Sequence, residues 1–212
     1  LNTANAGGDN PGNITLLGGG TLQSSSAWAQ GITLDANDGA GGTDGAVDLS
    51  AITFSSLDHL EVESASLSLG DTTLGDGANN PGDVNTGLKV TASGNITLNG
   101  DISTAGDTIS NNAGAISLSA TSIILNSGGS SDANTVSITT NASSTDAAIS
   151  LGAVTTASSK SLTIDAGTQS VTLAAVGTDG ANLGALDVSG GTINLNGAVD
   201  AAGVTATGST AS

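Results

Sequence analysis

Short triplets of apolar, hydroxyl-bearing and apolar residues recur along the whole chain. They stand at Ile14-Thr15-Leu16, Ile32-Thr33-Leu34 and Ile96-Thr97-Leu98, with variants at Ile116-Ser117-Leu118, Val136-Ser137-Ile138, Ile149-Ser150-Leu151, Val171-Thr172-Leu173 and Ile193-Asn194-Leu195. In an extended chain successive side chains point to opposite faces, so each triplet turns two aliphatics one way and a polar group the other. The starts at 14, 32, 52, 96, 116 and 136 step by 18, 20, 44, 20 and 20 residues, with Thr73-Leu74 inside the long step. Later starts at 149, 171 and 193 step by 22. A second series, Val47-Asp48-Leu49, Leu67-Ser68-Leu69, Leu88-Lys89-Val90 and Ile109, runs between them. Two interleaved series with one period predict a coil of short strands, because repeats of roughly 20 residues are the signature of solenoids.

The segment Gly94-Asn95-Ile96-Thr97-Leu98-Asn99-Gly100-Asp101-Ile102 reads like Gly191-Thr192-Ile193-Asn194-Leu195-Asn196-Gly197-Ala198-Val199. Each places a strand, an Asn-Gly step and a second strand. Asn-Gly between apolar runs also marks a two-residue hairpin, which would fold the chain into a β-sandwich or an array of small sandwiches. A constant period favours a corner that the chain rounds before pairing in parallel one turn later. Nowhere are apolar residues sustained at helical spacing. The expectation is an all-β parallel β-solenoid of roughly ten turns, with strands stacked about 4.8 Å apart in a rod roughly 45–50 Å long.

Composition suits a thin coil. Trp28 and Phe54 are the only aromatic residues, so the core is aliphatic, and the 32 glycines gather with Asn, Asp, Ser and Thr between the triplets, as turns require. Residues 1–212 read as a single solenoid. Neither end reads as a polar cap, and an uncapped coil presents open strand edges. The chain is therefore expected to be a segment of a longer rod or a unit that stacks end to end. Its start at Leu1 rather than Met fits a processed or excised piece.

Charge narrows the function. Nineteen acidic residues face two lysines, Lys89 and Lys160, for a net charge of −17. A nucleic-acid binder needs a basic footprint, and anionic membrane surfaces repel such a chain. There is no cysteine, hence no disulfide or thiolate chemistry. No apolar run reaches the length that spans a bilayer.

The stretch from Ala148 to Gly203 carries a resemblance. It contains Ala-Ile-Ser-Leu-Gly-Ala-Val-Thr-Thr, Ser-Leu-Thr-Ile-Asp-Ala-Gly, Val-Thr-Leu-Ala-Ala-Val-Gly and Leu-Gly-Ala-Leu-Asp-Val-Ser-Gly-Gly-Thr-Ile-Asn-Leu-Asn-Gly. These repeats resemble filamentous-haemagglutinin-like exoproteins and related β-strand-repeat bacterial adhesins. The resemblance implies a right-handed parallel β-helix, export from a Gram-negative cell to its surface or beyond, and a role in adhesion, biofilm or fibre building. It supplies no catalytic residues.

Few residues could carry chemistry. His59 is the only histidine and cannot form a zinc cluster. A carbohydrate-active enzyme on this fold would want paired carboxylates with a cation and aromatic platforms, and Arg is absent. The metal these loops would take is calcium, whose ligands are carboxylate and carbonyl oxygens. The first candidate set is Asp35, Asn37, Asp38 and Asp44; the second is Asp76 and Asp83, with Asn79 between them. Neither loop ends in the bidentate Glu of a full calcium loop. The outward hydroxyls Thr15, Thr33, Thr53, Thr97, Ser117 and Ser137 are expected to stack as one ladder. A two-column Thr-x-Thr ice-binding array is not evident, since Thr205-Ala206-Thr207 is the only such triplet.

Together these features predict a non-catalytic extracellular rod, fibre or biofilm-matrix subunit. Its expected partners are copies of itself, neighbouring repeats and host or matrix glycans. The alternatives are a carbohydrate-active β-helix enzyme and a calcium-dependent surface-layer component.

Overall fold

The computed structural model describes residues 12–16, 19–23, 31–37, 44–55, 57–75, 86–105, 112–129, 132–178 and 182–211. Their strands form coils. The first coil has β1 (Ile14–Thr15), β2 (Thr21–Gln23) and β3 (Ile32–Asp35). The second has β4 (Ala46–Leu49), β5 (Thr53–Ser55) and β6 (Leu60–Ser64). The third has β7 (Ser66–Leu69), β8 (Thr72–Thr73) and β9 (Thr86–Ala92). The fourth has β10 (Asn95–Leu98), β11 (Ile102–Ser103) and β12 (Ala115–Ser119). The fifth has β13 (Ser122–Leu125), β14 (Thr135–Thr139) and β15 (Ile149–Leu151). The sixth has β16 (Val154–Thr156), β17 (Ser161–Asp165) and β18 (Ser170–Leu173). Two long strands follow, β19 (Leu186–Leu195) and β20 (Val204–Ala211).

Every third strand pairs in parallel, so the coils stack into three faces. Face 1 runs β1-β4-β7-β10-β13-β16 and continues through the bridging residues Val176 and Val199. Face 3 runs β3-β6-β9-β12-β15-β18. Face 2 contains β2 and β5, then β8, β11, β14 and β17. β19 crosses from face 2 to face 3: Leu186 pairs with Leu162 of β17, and Ile193 with Val171 of β18. Among the described residues this makes eight levels on face 1, fewer than the roughly ten turns expected from a 20-residue period.

The difference lies in the loops. On face 3, Ile32, Leu60, Leu88 and Ile116 stack at intervals of 28 residues, Ile149 follows 33 later, and only Val171 and Ile193 hold the 22-residue step. Ile96, Ile116 and Val136, whose 20-residue spacing suggested successive turns, stand on faces 1, 3 and 2. Their spacing measures one face to another. For the same reason the single hydroxyl ladder divides: Thr15 and Thr97 lie on face 1, Thr33 and Ser117 on face 3, and Thr53 and Ser137 on face 2.

All recorded strand pairs are parallel, and no helix occurs among the described residues. Neither Asn-Gly step is a hairpin. Each rounds a corner where the chain presses on the coil beneath. A Cβ on Gly100 would come within 2.3 Å of the Asp71 backbone nitrogen, and one on Gly197 within 2.6 Å of that of Ala175. Only glycine permits this approach. Asn99 adds a ladder along its corner: its Nδ2 donates to Ser68 Oγ at 2.9 Å, and its Oδ1 accepts from Asn126 Nδ2 at 2.7 Å.

The core is the space between the faces. Leu34, Val62, Val90, Leu118, Leu151 and Leu173 form one inward column, each at most 3% exposed. Burying each such side chain contributes about 1.5–3 kcal/mol. Because each coil holds few aliphatics, stability comes from stacking neighbours. No described helix is long and apolar enough to cross a membrane.

Candidate functional site: a two-column polar face

Face 2 carries the most regular chemistry of the molecule. Its inward residues Ile102, Ile138, Ile164 and Val188 stack in register. The alternation that buries them turns their neighbours outward. One outward column is Asp71, Asp101, Ser137, Thr163, Asp187 and Thr205; the other, two residues further along each strand, is Thr73, Ser103, Thr139, Asp165, Ser189 and Thr207. Six coils thus present an oxygen-bearing side chain at both positions. Neighbours within a column are about 4.8 Å apart, and the columns are separated by two residues of strand, about 6.6 Å.

Hydrogen bonds fix this face. Asp71 Oδ1 accepts the Asp101 N–H at 2.9 Å, and Asp101 Oδ1 accepts the Ser137 N–H at 2.8 Å. Asp165 Oδ1 accepts the Gly167 N–H at 3.0 Å while its Oδ2 accepts from Asn141 Nδ2 at 2.7 Å. Two grooves lie along its early coils. One, of about 390 Å³, is lined by Thr53, Phe54, Asp71 and Thr73 among others; the next, of about 260 Å³, by Asp71, Thr73, Asp101 and Ser103.

Beyond the second column come long connections from face 2. The connections from face 2 to face 3 span 74–85, 104–114 and 140–148 on three successive coils. In repeat proteins such insertions commonly gather on the binding side. Two buried threonines close their bases. Thr104 Oγ1 donates to the Gly114 carbonyl, and Thr140 Oγ1 donates to that of Ala147. Gly114 N–H and Ala147 N–H return bonds to the Thr104 and Thr140 carbonyls.

Within the third insertion Asp146 accepts three hydrogen bonds: from Thr168 N–H at 2.7 Å, Thr168 Oγ1 at 2.8 Å and Ala142 N–H at 2.9 Å. These bonds, the Thr168 N–H first, hold its carboxyl below the usual carboxylate range. Asp48 is likewise lowered by the side chain and N–H of Ser50. The cations lie elsewhere. Lys89 Nζ meets Glu61 at 2.6 Å on face 3, and this bond raises the lysine's pKa. Lys160 Nζ donates to the Ala133 carbonyl at 2.9 Å.

The calcium candidates that are described lie away from this face. Asp35, Asn37 and Asp44 lie between faces 3 and 1 of the first coils, where Asp35 Oδ1 accepts the Asn37 N–H at 3.0 Å and Asp44 Oδ2 accepts from Ser93 Oγ at 2.9 Å. Asp38, Asp76, Asn79, Asp83 and Trp28 lie outside the described residues. Among the described residues no group of three or more His, Asp or Glu side chains stands together as a metal site. His59 packs its ring on the backbone of Gly31, where a Cβ would fall within 2.0 Å of its Cε1.

Sequence reasoning missed the two columns. Their signal was a polar-x-polar triplet in every coil: Asp71-Thr72-Thr73, Asp101-Ile102-Ser103, Ser137-Ile138-Thr139, Thr163-Ile164-Asp165, Asp187-Val188-Ser189 and Thr205-Ala206-Thr207. Spacings of 30, 36, 26, 24 and 18 residues hid the repeat. No family model matches the chain, and comparisons with curated proteins and with solved structures return no match.

Proposed function

We propose that this chain is a stretch of a non-catalytic extracellular rod, a bacterial surface adhesin or matrix fibre, wound as a right-handed parallel β-helix. Right-handedness follows the rule for parallel crossover connections. The observation that carries the reading is the unbroken pair of oxygen-bearing columns on face 2, since a long repeating polar surface suits contact with an extended polar polymer such as a matrix glycan. Many spaced, individually weak hydrogen bonds along a rigid rod add up through multivalency. Absence of cysteine and the excess of acid fit a protein outside the cell. β20 pairs with β19 along one edge, and Val204 beside its other edge is 52% exposed. A further coil of the same kind, in the same chain or in another copy, would suit that edge.

Asp71 and Asp101 on adjacent coils of one groove favour a second reading, a carbohydrate-active enzyme. One experiment separates the two. The chain is incubated with a panel of bacterial and host polysaccharides, and both retention and new reducing ends are measured. Retention without cleavage, abolished by Thr139→Arg with Thr163→Arg, supports the rod. Cleavage lost in Asp101→Asn supports the enzyme. Neither retention nor cleavage would remove the glycan-contact reading.

A further inference from the structure

The chain contains two Asn-Gly steps, Asn99-Gly100 and Asn196-Gly197, and the structure treats their side chains oppositely. We infer that Asn196 is a site of spontaneous, structure-selected deamidation, while the fold protects Asn99. The Asn99 amide is held on both sides. Its Nδ2 donates to Ser68 Oγ at 2.9 Å, its Oδ1 accepts from Asn126 Nδ2 at 2.7 Å, and Gly100 behind it is buried against Asp71. Asn196 is exposed, as are Gly197 and Ala198 after it. Its backbone N–H is bound to the Leu173 carbonyl at 2.8 Å, but its side chain has no hydrogen-bond partner among the described residues, and neither has the Gly197 N–H.

The reaction needs only water and a solvent base. The Gly197 nitrogen gives its proton to the base and attacks Cγ of Asn196. A new N–Cγ bond forms, the Cγ–Nδ2 bond breaks, and the amide nitrogen leaves as ammonia after taking a proton. Water then opens the cyclic imide at one of its two carbonyls, giving aspartate or isoaspartate. The net change is water consumed, ammonia released and one negative charge gained. Glycine at the following position removes the Cβ that would obstruct the attack. At Asn99 the same attack requires the side chain to leave two hydrogen bonds, and the loss of both slows it by at least about tenfold.

The consequence falls on the corner between face 3 and face 1. An isoaspartate lengthens the backbone by one carbon just where Gly197 presses on Ala175 and just before Val199 bridges to Val176. Ageing at Asn196 therefore loosens the last face-1 level and adds charge there.

The test is to incubate the folded chain in mildly alkaline buffer and follow both sites by peptide mapping with isoaspartate detection. Conversion at Asn196 at least about tenfold faster than at Asn99 is expected. In denaturant the two sites should convert at similar rates. Asn126→Ala and Ser68→Ala, which release the Asn99 amide, should speed Asn99 and leave Asn196 unchanged. Equal rates in the folded chain, or faster conversion at Asn99, would overturn the inference. So would selectivity that survives unfolding, because it would then belong to the local sequence.

Discussion

The carboxylate of Asp101 accepts the backbone N–H of Ser137 at 2.8 Å, across 36 residues of chain. Its own N–H donates to Asp71 Oδ1 at 2.9 Å, so one line of bonds ties three coils together at the margin of face 2. The Asp101 carbonyl also accepts the Thr72 N–H at 2.8 Å, so side-chain and backbone bonds run side by side at this corner. Asp101→Ala should lower unfolding free energy by about 1–3 kcal/mol, the range for losing a charged acceptor to an N–H. Asp101→Asn keeps an acceptor and should cost less. Chemical denaturation of the two variants beside the parent checks the order, and unchanged stability in Asp101→Ala would show that the bond to Ser137 contributes nothing.

Ser64 should respond in the opposite direction. It is 2% exposed, and its hydroxyl has no hydrogen-bond partner among the described residues. It stands in register with Ala92 on the next coil, in a column of small inward residues that Ala36 begins. A buried hydroxyl without a partner costs roughly 1–3 kcal/mol. Ser64→Ala should raise the melting temperature, and a lower one would contradict this.

Thr104 and Thr140 test the loop bases. Both are fully buried, and each hydroxyl donates across its insertion. Valine keeps the volume and removes the donor, leaving the carbonyl of Gly114 or Ala147 unpaired. Each Thr→Val change should cost about 1–3 kcal/mol. Limited proteolysis should cut within 104–114 or 140–148 sooner in the corresponding variant. Unchanged proteolysis would show that the loops close without these bonds.

Acid should release the third insertion. Asp146 has its folded pKa depressed, chiefly by the Thr168 N–H, below the value of about 3.9 for an unfolded Asp. A depressed carboxylate stabilises above its unfolded pKa, and that contribution is lost as pH falls through the folded value. Stability from Asp146 should therefore be constant above about pH 5 and decline below about pH 4. Asp146→Asn should flatten the acid limb of the stability curve, with its largest loss at neutral pH and little difference from the parent in acid. An acid limb identical in variant and parent would show that other carboxylates govern it.

Much of the fold was legible because strand alternation is written locally. Ile96-Thr97-Leu98 and Ile149-Ser150-Leu151 alternate buried and outward residues as their patterns require. The true interval was legible only where corners are tight, as from Val47 to Leu67 and from Ile149 through Val171 to Ile193. Where loops such as 104–114 enter, sequence distance no longer measures position along the rod. That is why Ile96, Ile116 and Val136 counted as three turns, and why Ser103 and Thr139 were not recognised as neighbours. The Asn-Gly steps were ambiguous for a different reason. Hairpin and corner need the same glycine, and only contact with the coil beneath, as at Gly100 with Asp71, distinguishes them.

The register of face 2 underlies every claim about its columns, and it can be measured directly. The chain has no cysteine, so spin labels can be placed at will. Thr73 and Ser189 lie four levels apart in one column, and Thr73 and Thr207 lie five apart. At about 4.8 Å per level the pairs should lie roughly 19 and 24 Å apart, differing by one strand spacing. Electron–electron resonance distances in that order and with that increment would support the stacked columns. Distances that do not grow with the number of levels would contradict them.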